Sequence, residues 1–425
     1  MIPPALHDLS RAELVPVALD VMLSGMIVTR GLLPQVALES GDMDLMNQIA
    51  IDEWMGASPI YTGRMRRLMG IEGDNVQAIM KALQLDVGFV HQYMDVHYEL
   101  IDDRHAEFWL AHCGALIDAE PHGEERVFGM CHTIEDPTFD ATALATNPRA
   151  RIRPIHRPPR RPADQEPHCR WTITIDPEND PVGSVPLTEV VAALPLASVP
   201  NAMPDDREPG GRRDYRGDFE PSFGLSDLSW GALVAATREF EMQSHLLMAA
   251  SDLALREHFD ADTTHTMMLN AWESAGWIAS ERLTRLLPPG DVTDTLARVL
   301  ALTPMLAPGF ERQVQVDRHW VTLDLRATHP GLLDAGHAGW NGLLAAGERR
   351  GVEGIARGVD RRAHVEDLTV DHDRVHVGIS IDPEAEPAQE SDAVALARIG
   401  MVSGWTFDTT DRVADPVVVE VTRRR

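Results

Sequence analysis

The chain has 425 residues, of which 44% are apolar, and a formal net charge of −28. That length suits two or three domains and that apolar share suits packed cores. So acidic a surface repels phosphate backbones, which argues against nucleic acid or an anionic membrane as a partner. The start, Met1-Ile-Pro-Pro, is no secretory signal, and three cysteines are an odd number. Together they point to a reducing cytoplasm rather than a disulfide framework.

Taken in chain order, Asp8 with the following Ser10 makes a good helix start. The most apolar stretch, 14–28, is interrupted by Pro16, Asp20 and Gly25 and reads as too short to span a bilayer. Helices are expected near 58–69 and near 74–85, the second entered at Asp74-Asn75. The period then changes to two: 90–100 alternates, Asp102-Asp103 can turn, and 107–112 returns, a hairpin. A helix near 137–147 and strands near 149–156 and 169–176 follow. The stretch 179–225, rich in Pro, Gly, Asp and Arg, reads as a linker. A new helix start at Asp227-Leu-Ser229 leads into Leu233, Phe240 and Leu247 at sevenfold spacing, with Ala254 in register. Strands are expected near 311–317, 319–327, 361–370 and 373–382. The tail begins as an acidic loop and ends in an apolar strand, 417–421, that is expected to pack.

This order repeats. Asp8-Leu-Ser-Arg-Ala-Glu-Leu14 matches Asp227-Leu-Ser-Trp-Gly-Ala-Leu233, and Ile173-Thr-Ile-Asp-Pro-Glu178 matches Ile379-Ser-Ile-Asp-Pro-Glu384, at offsets of 219 and 206. Weaker echoes between them keep the same order, as with Asp103-Arg-His105 and Asp317-Arg-His319. The expected fold is therefore α+β. It is a tandem duplication in which each copy is an N-terminal helical bundle followed by a small antiparallel sheet with a covering helix. The first copy would span 1–178, the linker 179–225 and a degenerate second copy 226–425.

All three cysteines, Cys113, Cys131 and Cys169, fall in the first copy, each beside a histidine, and eight of the eighteen histidines lie between His91 and His168. Thiolate and imidazole are the ligands that zinc and iron prefer, so Cys113, Cys131 and Cys169 with His156 form a candidate metal set. The competing reading is that the thiols are packed as small hydrophobes. The spacing contains no CxxC and fits no standard zinc motif. In Cys131-His-Thr-Ile-Glu-Asp136, His132 or Glu135 could move protons, whereas Asp136-Pro137 reads as a helix cap followed by Pro. Arg149, Arg151 and Arg153 alternate along a strand and could clamp an anionic group, or else pair with acidic neighbours. The loop Arg157-Pro-Pro-Arg-Arg-Pro162 should be extended and could cover a pocket beside Cys169. No P-loop, GxGxxG, GxSxG or HExxH motif occurs.

Gly70-Ile-Glu-Gly73, Cys113, Cys131, Asn147-Pro-Arg149, Pro158-Pro159 and Cys169-Arg-Trp171, in that order, resemble an uncharacterised cysteine-rich bacterial family similar to the L-2-amino-thiazoline-4-carboxylic acid hydrolase-like proteins. The resemblance covers about 8–178. It implies a metal or a reactive thiol and a hydrolytic reaction. Where those proteins carry further cysteines before the Pro-Pro, this chain has His156. The expectation is a metal-dependent enzyme acting on a small anionic molecule. The alternative is a non-catalytic binding or sensing protein with a structural metal or none. Either leaves room for a homo-oligomer.

Overall fold

The computed structural model describes residues 6–306, 308–334 and 336–399. Two helical lengths open each copy, and their ends are set by capping side chains. Ser10 caps α1 (Arg11–Met22) by accepting from the Glu13 amide, and Glu13 bonds back to the Ser10 amide. Only Leu23 separates α1 from α2 (Ser24–Ser40). Asp42 caps α3 (Met43–Met69), and Asn75 caps α4 (Val76–Leu83). The hairpin β1 (Met94–Asp102) and β2 (His105–Cys113) follows. Next come α5 (Gly114–Ala119), α6 (Glu124–Phe128), a π-helical turn (Gly129–Ile134) and α7 (Glu135–Leu144). Strands β3 (Ala150–His156) and β4 (Cys169–Ile175) complete the first copy.

After α8 (Pro186–Ala192) the plan repeats. Ser229 caps α9 (Trp230–His258) and Asp260 caps α10 (Ala261–Leu286), as Ser10 and Asp42 do in the first copy. Then come α11 (Val292–Leu302), β5 (Phe310–Asp317), β6 (Trp320–Ala327), α12 (Trp340–Ala345), α13 (Arg350–Val359), β7 (Ala363–Asp371), β8 (Arg374–Ile381) and α14 (Asp392–Ile399). The strand orders are β1-β2-β4-β3 and β5-β6-β8-β7, antiparallel throughout. Register agrees as well. Ala106 faces Ile173 as Val321 faces Ile379, and Leu110 faces Cys169 as Leu325 faces Val375. The fold is thus α+β with a two-part layout that fits a duplication.

The copies are not separate bodies. Helix α3 packs mainly on α9, and α2 on α10, so the helices of one copy lie between those of the other. One continuous apolar core runs through both. Polar contacts cross the same seam: the Ser24 and Ser244 hydroxyls meet at 2.7 Å, and the buried Arg282 guanidinium lies 2.6 Å from Asp20. The segment 179–225 is also more than a tether. It holds α8, buries Val191 and Leu196, and buries Tyr215, whose hydroxyl donates to Gln84 at 2.7 Å.

Two local expectations need correction. The apolar run at 14–28 belongs to a helical stretch from Arg11 to Ser40, which by length and composition could cross a membrane. Most of it is buried inside the protein, as a core helix is. Asp136 does not cap a helix, because the π turn passes straight into α7; its carboxylate instead pairs with Arg157 at 2.6 Å. The strand expected at 417–421 lies outside the described residues.

Candidate functional site

In the first copy, α2 and α3, the turn after α4, the inner face of the sheet and the α6–α7 segment enclose a cavity of about 130 Å³. That is close to the roughly 150 Å³ of a cavity known to admit benzene. Its lining is mainly apolar, with Met26, Leu33, Trp54, Phe89, Leu110 and Trp171 among the contributors. Into it come a few polar groups: Thr29, Arg30, Asp86, Arg126 and Glu135. Such a composition is what small-molecule pockets share.

The thiols gather here. Cys113 ends β2 and Cys169 begins β4, and both line the cavity. Cys131 projects from the π turn, a distortion that often occurs at functional sites. All three are buried and free. Burial pushes the Cys113 thiol up to about 12 and the other two well above the usual thiol range, and the Glu135 charge adds to the penalty at each. Cys113 also accepts the Leu116 amide at the start of α5. Burial thus favours the neutral thiol over the thiolate at all three. Burial likewise raises Glu135 to about 8, only partly offset by the Arg157 charge. Glu135 is therefore a protonated acid at neutral pH.

The other candidates are placed elsewhere. His156 lies opposite Arg170, whose side chain bonds Glu107 and lies over Trp109, on the face of the sheet away from Cys169 and Trp171. It meets Gln165 at 3.3 Å and does not complete a ligand set with the thiols. Among the described residues, no three His, Cys, Asp or Glu side chains come together as a group that could hold a metal ion. His132 stacks on Phe128 and directs Nε2 to the Pro158 carbonyl at 2.7 Å, so its ring is not offered to the cavity. His168 accepts the Cys113 amide on Nδ1, and burial holds it down to about 4.

The arginine strand is engaged within the protein, as the alternative of pairing with neighbours expected. Arg153 grips both oxygens of Asp140 at 2.8 and 2.7 Å, and Asp140 also accepts the Ile152 amide. Arg149 and Arg151 donate to the carbonyls of Asn179 and Asp180. The Pro-rich loop is pinned in the same way, by Arg157 to Asp136 and by Arg160 to Glu120.

Sequence reasoning passed over the charged groups that do face the cavity. Arg30 is tied to Asp118 at 3.6 Å. Arg30 Nε and Arg126 Nη1 are both buried without a hydrogen-bond partner among the described residues, but of the two only Arg30 has an ion pair there. Burial, then the like charge of Arg30, pulls the Arg126 guanidinium down to about 10, which still leaves it charged at neutral pH. In the sequence it follows Glu124-Glu125 and reads as a solvated helix face. Arg30 had a signal, a lone charge inside the run Ile27-Val-Thr-Arg-Gly-Leu-Leu33.

A second concavity, an open groove of about 760 Å³ between α2, α10 and α14, is lined by Glu39, Asp262 and Asp392 among others. It is the larger of the two, but it is more open to solvent and its buried Gln35 already donates to the Gly31 carbonyl, so the smaller cavity is the better candidate site. No family model, curated protein or solved structure matches this chain. The resemblance to a hydrolase-like family stays a reading of the residues alone.

Proposed function

We propose that this chain is a small-molecule binding protein, and that its ligand carries a carboxylate held by Arg126 in the first-copy cavity. The observation that carries this reading is the buried Arg126 Nη1 without a partner in the cavity wall. Arg126 is partly buried, and an unpartnered guanidinium nitrogen held out of water is costly; a bound anion would supply the missing charge and acceptor. The protein's charge of −28 makes it a poor general attractor of anions, so recognition would rest on this local cation and not on the long-range field. The apolar lining suits an aliphatic or aromatic body of about ten heavy atoms or fewer. Glu135, protonated, could donate to the same carboxylate.

The hydrolytic reading has less behind it. Burial favours neutral thiols, and His132 and His168 are engaged elsewhere. We place the protein in the cytoplasm on its cysteine usage.

The test is thermal unfolding with pentanoate or benzoate, against pentanamide or benzamide as neutral isosteres. The acids should raise the midpoint with concentration and the amides should not. Arg126→Met should weaken acid binding by about tenfold to a hundredfold, the range for a hydrogen bond to a charged group. If no acid shifts the midpoint, or the variant binds equally well, the reading fails.

A further inference from the structure

A second polar group faces the same cavity from a different element. Asp86 sits in the turn after α4 and is only 3% exposed. Its Oδ1 accepts from the Gly88 amide at 2.7 Å and the Tyr61 hydroxyl at 3.3 Å. Its Oδ2 is buried and has no hydrogen-bond partner among the described residues. When ionised, that oxygen can only accept, so what it lacks is a donor. Arg126 Nη1 lacks an acceptor. The cavity therefore presents a guanidinium nitrogen and an acid oxygen that are both unpartnered among the described residues, on walls built from different elements and set in a lining that is otherwise largely apolar.

We propose that the ligand is bipolar: a short ω-amino acid whose carboxylate meets Arg126 and whose ammonium meets Asp86, joined by an apolar spacer. The pairing also fixes direction, since the reversed ligand would set like charges against each other at both ends. Trp54 lines the cavity close to Gly88 and Asp86, and indole is the best aromatic partner for an ammonium. Burial raises Asp86 to about 7, and a bound ammonium would favour its charged form. A simple carboxylate would satisfy Arg126 and leave Asp86 as it is.

This inference rests on the carboxylate reading, and the experiment separates the two. Calorimetric titration of the full chain would compare straight-chain carboxylates of three to six carbons with the ω-amino acids of equal length. At one length or more, the amine should tighten binding at least tenfold over the plain acid. Asp86→Asn keeps an oxygen for Gly88 and Tyr61. It should erase the gain from the amine, so that each ω-amino acid binds no more tightly than the plain acid of equal length. If the amine gives no gain at any length, or the gain survives in Asp86→Asn, the bipolar ligand is overturned while carboxylate binding stands. If no carboxylate, with or without an amine, binds the wild type, both readings fall. The wild-type comparison decides the matter even if the variant does not fold.

Discussion

The two copies share caps, helix lengths, strand order and register, yet the first lines a cavity where the second packs a tryptophan. The caps align Met26 with His245, Thr29 with Met248 and Arg30 with Ala249. They likewise align Glu53 with Ala271 and Trp54 with Trp272, and the sheet register aligns Cys169 with Val375. Four polar or ionisable groups around the first cavity are thus exchanged for apolar ones. In the second copy, Trp340 of α12 stacks on Trp272 at 6.1 Å and meets His245 edge-on at 5.3 Å. It fills the space between the counterparts of two cavity walls. The covering helices differ too. A stripe of Gly351, Gly354 and Gly358 lets α13 settle on α10 far more closely than α7 does on α3. A Cβ at Gly351 would fall 1.9 Å from the Trp272 ring. One duplicated scaffold can therefore be closed by tryptophans and glycines, or kept open by charges that resist collapse.

The largest effect should come from emptying the filled copy. Trp340→Ala should cost about 3–5 kcal/mol in urea unfolding, the usual range for deleting a buried aromatic, and leave acid binding in the first copy unchanged. Tight coupling of the two copies through the shared helical layer would instead weaken binding in step with stability.

Next in size is the response to pH. Burial raises Glu53 to about 7, Asp86 to about 7 and Glu135 to about 8, all in the first copy. Raised carboxyls lend stability that is fully present below their unfolded values near 4 and is lost as pH rises through these folded values. The buried neutral His168 and His245, each held near 4, act the other way and lose stability as pH falls below about 6.5. Between pH 6.5 and 9, then, the unfolding free energy from urea titration should fall, by on the order of 3 kcal/mol in all. Glu135→Gln should flatten that slope most, since it titrates highest. A slope unchanged in that variant would show that Glu135 is not held protonated.

A smaller effect is expected from the arginine strand. Arg153→Ala removes a half-exposed pair with Asp140 and should cost about 1 kcal/mol or less, with no change in acid affinity. A clear loss of affinity would return the arginine strand to the binding site.

Most of the fold was legible because its signals are local. Ser10, Asn75 and Ser229 mark helix starts by their own side chains, and the change of period from helix to hairpin near 90 is read within a few residues. The hairpin and the final strand pair appear in both copies within four residues of their expected bounds. The site was legible only in part. The clustering of thiols in the first copy was visible, but the face of the sheet on which His156 falls depends on a register shift after Pro154. Arg30, Asp86 and Arg126 belong to three separate elements, and no spacing links them. Only packing shows that they face one cavity, and only the partner each lacks or keeps shows what they could hold.

The most direct measurement is the unfolding midpoint of wild type and Arg126→Met, each alone and with saturating pentanoate. A partly buried cation kept for a ligand should be a burden to the empty protein. The variant should therefore melt higher than wild type when free, and only wild type should gain from the acid. A variant that melts lower when free, and gains as much from pentanoate as wild type does, would contradict the account.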